Sequence, residues 1–138
     1  MKSFLEMSDT ISLNFKKPDP GRAEEFIQAV YGWGKLNPIN SKEVVIGGTL
    51  VELFRYPYGP SNHVELRSLR KMEENASSLG FMRKLVALAD KMGITLYGTP
   101  KPFGDFALTQ SRLVKFYKLF GFEYDKKKNM VVRNPRNV

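Results

Sequence analysis

The chain has no cysteine, which excludes disulfide bridges, thiol nucleophiles and thiolate metal sites together. Histidine is almost as scarce. The one imidazole, His63, leaves a zinc site without its usual ligands. No apolar run approaches the ~20 residues of a membrane-spanning helix. The first residues, Met1-Lys-Ser-Phe-Leu-Glu-Met-Ser-Asp9, hold no sustained apolar stretch and no small-residue cleavage site. The expectation is a cytoplasmic protein without membrane association. Internal repeats, low-complexity tracts and linkers are also missing, so the 138 residues read as one domain, 1–138.

Acidic residues are in deficit, with 14 Asp and Glu against 22 Lys and Arg and a net charge of +8. Such a balance suits nucleic acid, an acidic protein partner or an anionic cofactor, and its plainest role is solubility. The basic residues are spread along the chain, and only Lys126-Lys-Lys128 forms a cluster, so a nucleic-acid groove is not indicated. With 42% hydrophobic and 26% charged residues, the composition is that of a globular domain able to bury one core.

Periodicity outlines the elements. Ile11–Phe15 alternates like a strand, and Asp19-Pro20 offers a helix start. Ala23, Phe26, Ile27, Val30 and Tyr31 then fall on one helical face, ended by Gly32 and Gly34. Asn37-Pro38 and Asn40 mark a loop. Glu43–Ile46 and Thr49–Tyr56 flank Gly47-Gly48, a hairpin signal. After turns at Pro57 and Gly59-Pro60, His63–Arg70 alternates Val64, Leu66 and Ser68 against Glu65, Arg67 and Leu69. A helix over about Ser77–Met92 places Met82, Leu85, Val86 and Ala89 on one face, with Gly93 as its left-handed cap. Ile94–Tyr97 is a short strand and Lys101–Ala107 a loop. Thr109 or Ser111 caps a last helix bearing Leu113, Phe116, Tyr117 and Phe120, followed by Gly121 and a hairpin through Lys126–Asn129. This order implies a mixed sheet with helices packed on it.

Phe116-Tyr-Lys-Leu-Phe-Gly-Phe122 followed by Met130-Val-Val-Arg-Asn-Pro135 resembles the closing segment of GNAT-superfamily acyltransferases. Gly80-Phe-Met-Arg-Lys-Leu-Val-Ala-Leu-Ala-Asp-Lys-Met-Gly-Ile-Thr-Leu-Tyr97 is similar to that family's core helix and following strand, and Pro100-Lys-Pro-Phe103 is similar to loops of its small phage and bacterial members. The likeness covers Val64–Pro135. Upstream only the order of elements agrees, with the family's second helix shortened or missing. The resemblance implies a mixed, mostly antiparallel, six- to seven-stranded twisted sheet with helices on both faces. It also implies acetyl transfer from acetyl-CoA to an amine, either a small molecule or a protein.

In that family the loop before the core helix holds the cofactor's pyrophosphate on unpaired helix N–H groups. Here the matching residues are Asn75, Ala76, Ser77, Ser78, Leu79 and Gly80, in one of two registers: small residues at Ala76 and Ser78, or Asn75-x-x-Ser78-x-Gly80. The loop keeps one glycine and carries Glu73 and Glu74 where a basic residue is usual. Carboxylates repel a pyrophosphate unless they point away, and the same residues also read as a simple capped helix start. The resemblance further implies cofactor contacts at Leu69, Arg70 and Ser111, an oxyanion-stabilising N–H near Leu69, and Tyr117 as the acid that protonates the departing thiolate. Tyr117 equally fits as a core residue on the face of Leu113 and Phe120. For the base that deprotonates the amine, Glu65 is the choice, with His63, Glu52 and a water relay as alternatives. Tyr31, Trp33, Phe54, Tyr56 and Tyr58 line a cleft or pack as half-buried aromatics. The altered phosphate loop also suits another class of function, a catalytically silent binding module that masks a protein partner.

Overall fold

A computed structural model describes residues 21–40, 42–55, 62–72, 78–101 and 109–136. The strand expected at Ile11–Phe15, the turns at Pro57–Pro60, and most of the loops at Lys71–Ser77 and Lys101–Thr109 lie outside them. In chain order the elements are α1 (Gly21–Tyr31), β1 (Lys35–Leu36), β2 (Val44–Ile46), β3 (Thr49–Arg55) and β4 (His63–Lys71). They continue with α2 (Ser78–Met92), β5 (Thr95–Gly98), α3 (Gln110–Leu119), β6 (Glu123–Asp125) and β7 (Met130–Arg133). The seven strands form one sheet in the order β1-β2-β3-β4-β5-β7-β6. Every pairing is antiparallel except β4 with β5, which α2 joins as a crossover. This is the mixed sheet that the order of elements implies, and it is mostly antiparallel, as the resemblance implies.

Local chemistry sets the turns. The β2–β3 hairpin closes through Gly47 and Gly48, both at positive φ (57° and 80°), the conformation a two-residue hairpin loop requires. Gly93 ends α2 at φ 71°. Thr109 is the N-cap of α3, its hydroxyl accepting from the Arg112 N–H at 3.4 Å. Between α1 and β2 the described residues hold only the two-residue β1, so no helix follows α1 there.

The core lies on one face of the sheet. Val44, Ile46, Val51, Leu53, Val64, Leu66, Leu96 and Val131 meet Ala23, Phe26 and Val30 of α1, Phe81, Met82, Leu85 and Ala89 of α2, and Tyr117 of α3 in a single buried cluster. All three helices thus feed one face, and any helix on the other lies outside the described residues. That other face carries half-buried Glu52, Phe54, His63, Glu65, Tyr97 and Val132. Trp33 packs edge-on against Phe81 with the Lys84 ammonium 4.5 Å from its ring, so it is a half-buried packing aromatic.

One feature of β4 differs from the simple alternation. Glu52 pairs with Ser68 but Leu53 with Leu66, which leaves Arg67 as an extra residue without a partner on β3. This bulge flips the alternation. Leu69 therefore shares the core face with Val64 and Leu66, while Ser68 turns to the face of Glu52, its hydroxyl 3.5 Å from that carboxylate.

Candidate active site

The site begins where β4 and β5 part. Their pairing runs from His63 with Thr95 to Leu66 with Gly98 and stops, whereas β4 continues to Lys71 against β3 alone. Beyond Leu66 the β5 side of β4 has no paired strand among the described residues. The Met72 N–H donates to Gly48 O at 2.8 Å, so by antiparallel alternation the N–H groups of Arg70 and Ser68 also point to β3. Those of Leu69 and Lys71 point the other way, into the opening. A strand with unspent N–H donors on one side can receive an extended ligand or a developing oxyanion.

Tyr117 lies at this point. Its hydroxyl is 3.9 Å from where a Cβ on Gly98 would stand, and Leu66 O and Val131 Cγ2 lie 3.7 and 3.4 Å from the same position. Gly98 thus leaves side-chain space between the Tyr117 hydroxyl and the last β4–β5 pair. The ring is buried, 4% exposed, and packs edge-on to Phe116 and Phe122. Burial pushes its pKa up to about 12, so the phenol keeps its proton through the neutral range. Tyr117 is thus a core residue, as its helix face suggests, and its polar tip reaches the strand opening.

Of the residues matched to the phosphate loop, Ser78, Leu79 and Gly80 form the first turn of α2. Leu79 and Gly80 are exposed, and among the described residues nothing lies within 4 Å of a Cβ placed on Gly80. Glu73, Glu74, Asn75, Ala76 and Ser77 lie outside the described residues. Arg70 is half-buried on β4, and Ser111 is exposed in the first turn of α3.

Glu65 and His63 point to the sheet face opposite Tyr117. Glu65 is the Cα partner of both Phe54 and Tyr97, and its carboxylate pairs with Arg67 at 3.3 Å. His63 Nδ1 shares a 2.7 Å hydrogen bond with the Tyr97 hydroxyl, and burial lowers its pKa, so the imidazole is neutral near pH 7. Glu52 stands beside the bulge with Ser68. The strand opening therefore has a buried phenol hydroxyl on one face and carboxylates on the other.

Two arrangements were invisible in the sequence. Arg133, on the strand that ends the chain's last hairpin, forms a two-pronged ion pair with Asp90 of α2 at 2.8 and 3.0 Å. Its Nε donates to Phe120 O at 2.7 Å, and Asp90 also accepts from the Arg136 N–H at 2.8 Å. The partners stand 43 positions apart in the sequence, so no local pattern links them. The second is a groove of about 630 Å³ on the outer side of α3, lined by Arg112, Lys115, Phe116, Lys118 and Leu119.

No protein-family model matches the chain, and no curated protein matches it. Among solved structures, the crystal structure of the anti-CRISPR protein AcrVA5 is similar at a TM-score of 0.49 and 16% identity, over 65% of this chain and 94% of that one.

Proposed function

We propose that the protein is a GNAT-type N-acetyltransferase that moves an acetyl group from acetyl-CoA to an amine by direct attack. The observation that carries this reading is the parting of β4 from β5 at Leu66 and Gly98, with a buried tyrosine hydroxyl at the point of separation. Acetyl-CoA would supply the thioester whose C–S bond breaks as the C–N bond to the amine forms. The Leu69 and Lys71 N–H groups face the opening, and the exposed first turn of α2 at Ser78–Gly80 offers the backbone donors that suit a pyrophosphate. Asn75, Ala76, Ser77, Arg70 and Ser111 complete the proposed cofactor set.

Three groups handle charge and protons. Glu65 accepts the ammonium proton, directly or through one water, before attack. The Leu69 N–H stabilises the oxyanion that develops on the carbonyl. Tyr117 gives its proton to the departing thiolate and regains one from solvent. A phenol with a pKa of about 12 is protonated when that step requires it.

Thermal unfolding with and without acetyl-CoA tests the reading. A ligand at ~100 times its Kd adds about 2.7 kcal/mol, roughly 5–15 °C for a domain of this size. Absence of any shift at millimolar acetyl-CoA would overturn it. In a turnover assay, Tyr117→Phe should lower acetyl transfer by about 10²–10⁴-fold while acetyl-CoA still raises the Tm.

A second reading has its own observation. The α3 groove is rimmed by Arg112, Lys115 and Lys118 around Phe116 and the 75% exposed Leu119, and α3 contains no acidic residue. A silent module that docks an acidic, partly apolar protein segment would use this face. Such a protein would keep its partner after Tyr117→Phe and lose it after Lys115→Glu.

A further inference from the structure

The face opposite Tyr117 holds a compact set of side chains at the strand opening. Register places Phe54, Glu65 and Tyr97 in one row across β3, β4 and β5, one residue before the last β4–β5 pair. Arg67, the bulged residue, is the first beyond that pair. Its guanidinium lies 4.0 Å from the centre of the Phe54 ring and 3.3 Å from the Glu65 carboxylate. The bulge matters here. Contacts to Phe54 and Glu65 put the Arg67 side chain on the same face as both, while the partnerless position leaves it accessible, with 45% of its side chain exposed. The result is an anion and a cation side by side, with the cation steadied by a ring, at the mouth of the site.

A ligand that satisfies both groups carries the opposite pair: an ammonium for Glu65 and a carboxylate for Arg67. The planar guanidinium fork matches a carboxylate with two parallel N–H donors. An isolated amine would compete with Arg67 for the Glu65 carboxylate and bring the guanidinium no anion in exchange. We infer that the acceptor is a free α-amino acid, its ammonium held by Glu65 and its carboxylate by Arg67, beside the Phe54 and Tyr97 rings. This rests on the acetyl-transfer reading for the reaction, though not for the binding.

The experiment has two arms. In the first, acetyl transfer is assayed by CoA release with a panel of L-α-amino acids, each against its carboxamide. The free acids should lead in kcat/KM by about ten- to a hundredfold, the worth of a charge-assisted hydrogen bond. Arg67→Gln should collapse that ratio to near one, and Arg67→Lys should restore part of it. Equal use of acids and amides by the unsubstituted protein overturns the inference, as does a ratio that Arg67→Gln leaves unchanged. Acetyl-CoA that stabilises the protein while no amino acid is acetylated overturns it too, and leaves acetyl transfer standing. The second arm titrates the best amino acid and its amide against the protein alone by calorimetry. Preferential binding of the acid, lost in Arg67→Gln, supports the inference even where acetyl-CoA fails to bind. Equal or undetectable binding of acid and amide, with no preference in the first arm, sinks it.

Discussion

The Arg133 cluster and the β4–β5 opening are two polar regions of one small protein, built on opposite logic. In the cluster the buried charges are spent on each other. The guanidinium of Arg133, 3% exposed, uses Nε, Nη1 and Nη2 on Phe120 O and the two oxygens of Asp90, tying β7, α2 and the end of α3 together. At the opening the strand turns donors outward: Leu69 and Lys71 present N–H groups to a side where, among the described residues, no strand pairs with β4. A closed network specifies structure, and an open one can accept a ligand.

The most severe way to break this contrast is to open the closed region. Asp90→Ala would strand a buried guanidinium, and loss of one partner of such a pair costs about 3–5 kcal/mol. For a domain whose total stability is about 5–15 kcal/mol, chemical denaturation should show a large drop in the midpoint. Removing both charges, as in Asp90→Leu with Arg133→Met, should recover much of the loss, because no charge then lies buried alone.

Acid probes the same pair without mutation. The Arg133 hydrogen bond, with the Arg136 N–H and both positive charges, holds the Asp90 pKa below its ordinary 3.8 despite the opposing effect of burial. A carboxyl depressed in the folded state contributes stability that is fully present above its unfolded pKa. That contribution is lost as pH falls through 3.8 toward the folded value. The stability gap between the unsubstituted protein and Asp90→Asn should therefore be constant at neutral pH and narrow below about pH 4. A gap that stays constant down to pH 2 would mean the pair does not hold the proton off.

At the opening, effects should divide differently between stability and activity. A Cβ on Gly98 would meet Val131 Cγ2 at 3.4 Å, Leu66 O at 3.7 Å and the Tyr117 hydroxyl at 3.9 Å, all ordinary contacts. Gly98→Ala should keep the fold, with a stability change within about 1 kcal/mol. It fills the space beside the Tyr117 hydroxyl, so on the proposed mechanism acetyl transfer should fall on the order of 10²-fold through misplacement of that hydroxyl. An alanine variant with full turnover would place the chemistry elsewhere.

The same contrast explains what the sequence made legible. Local signals sufficed for α1, the Gly47-Gly48 hairpin, α2 with its Gly93 cap, and α3, because each depends on spacing within one element; of the two candidate caps for α3, Thr109 and Ser111, the structure uses Thr109. Tyr117 stands out in the sequence through its neighbours in Phe116–Phe122, while its placement beside Gly98 comes from the fold. The parting of β4 from β5 depends on how far two distant strands pair, and the Arg67 bulge depends on a register that alternation alone cannot reveal. Alternation put Leu69 with Glu65; the bulge moved it to the core face. The partnership of Asp90 with Arg133 is hidden for the same reason, because the two residues stand on distant segments that only the fold brings together.

The two ends of α3 carry the comparison into a single helix. Its C-terminal end is fastened by Arg133 to Phe120 O at 2.7 Å, whereas its N-terminal end relies on the Thr109 hydroxyl at a long 3.4 Å from the Arg112 N–H. A long cap bond contributes at the low end of the usual range, so Thr109→Ala should cost only about 0.5 kcal/mol. Amide exchange at Leu113 should quicken, because its N–H bonds to the carbonyl of Thr109 itself. Exchange at Phe120 and Gly121, whose N–H groups bond to Tyr117 O and Lys118 O at the fastened end, should stay as slow as before. Equal acceleration at both ends would mean that α3 opens as one unit. The Arg133 cluster would then hold the whole helix rather than its last turn.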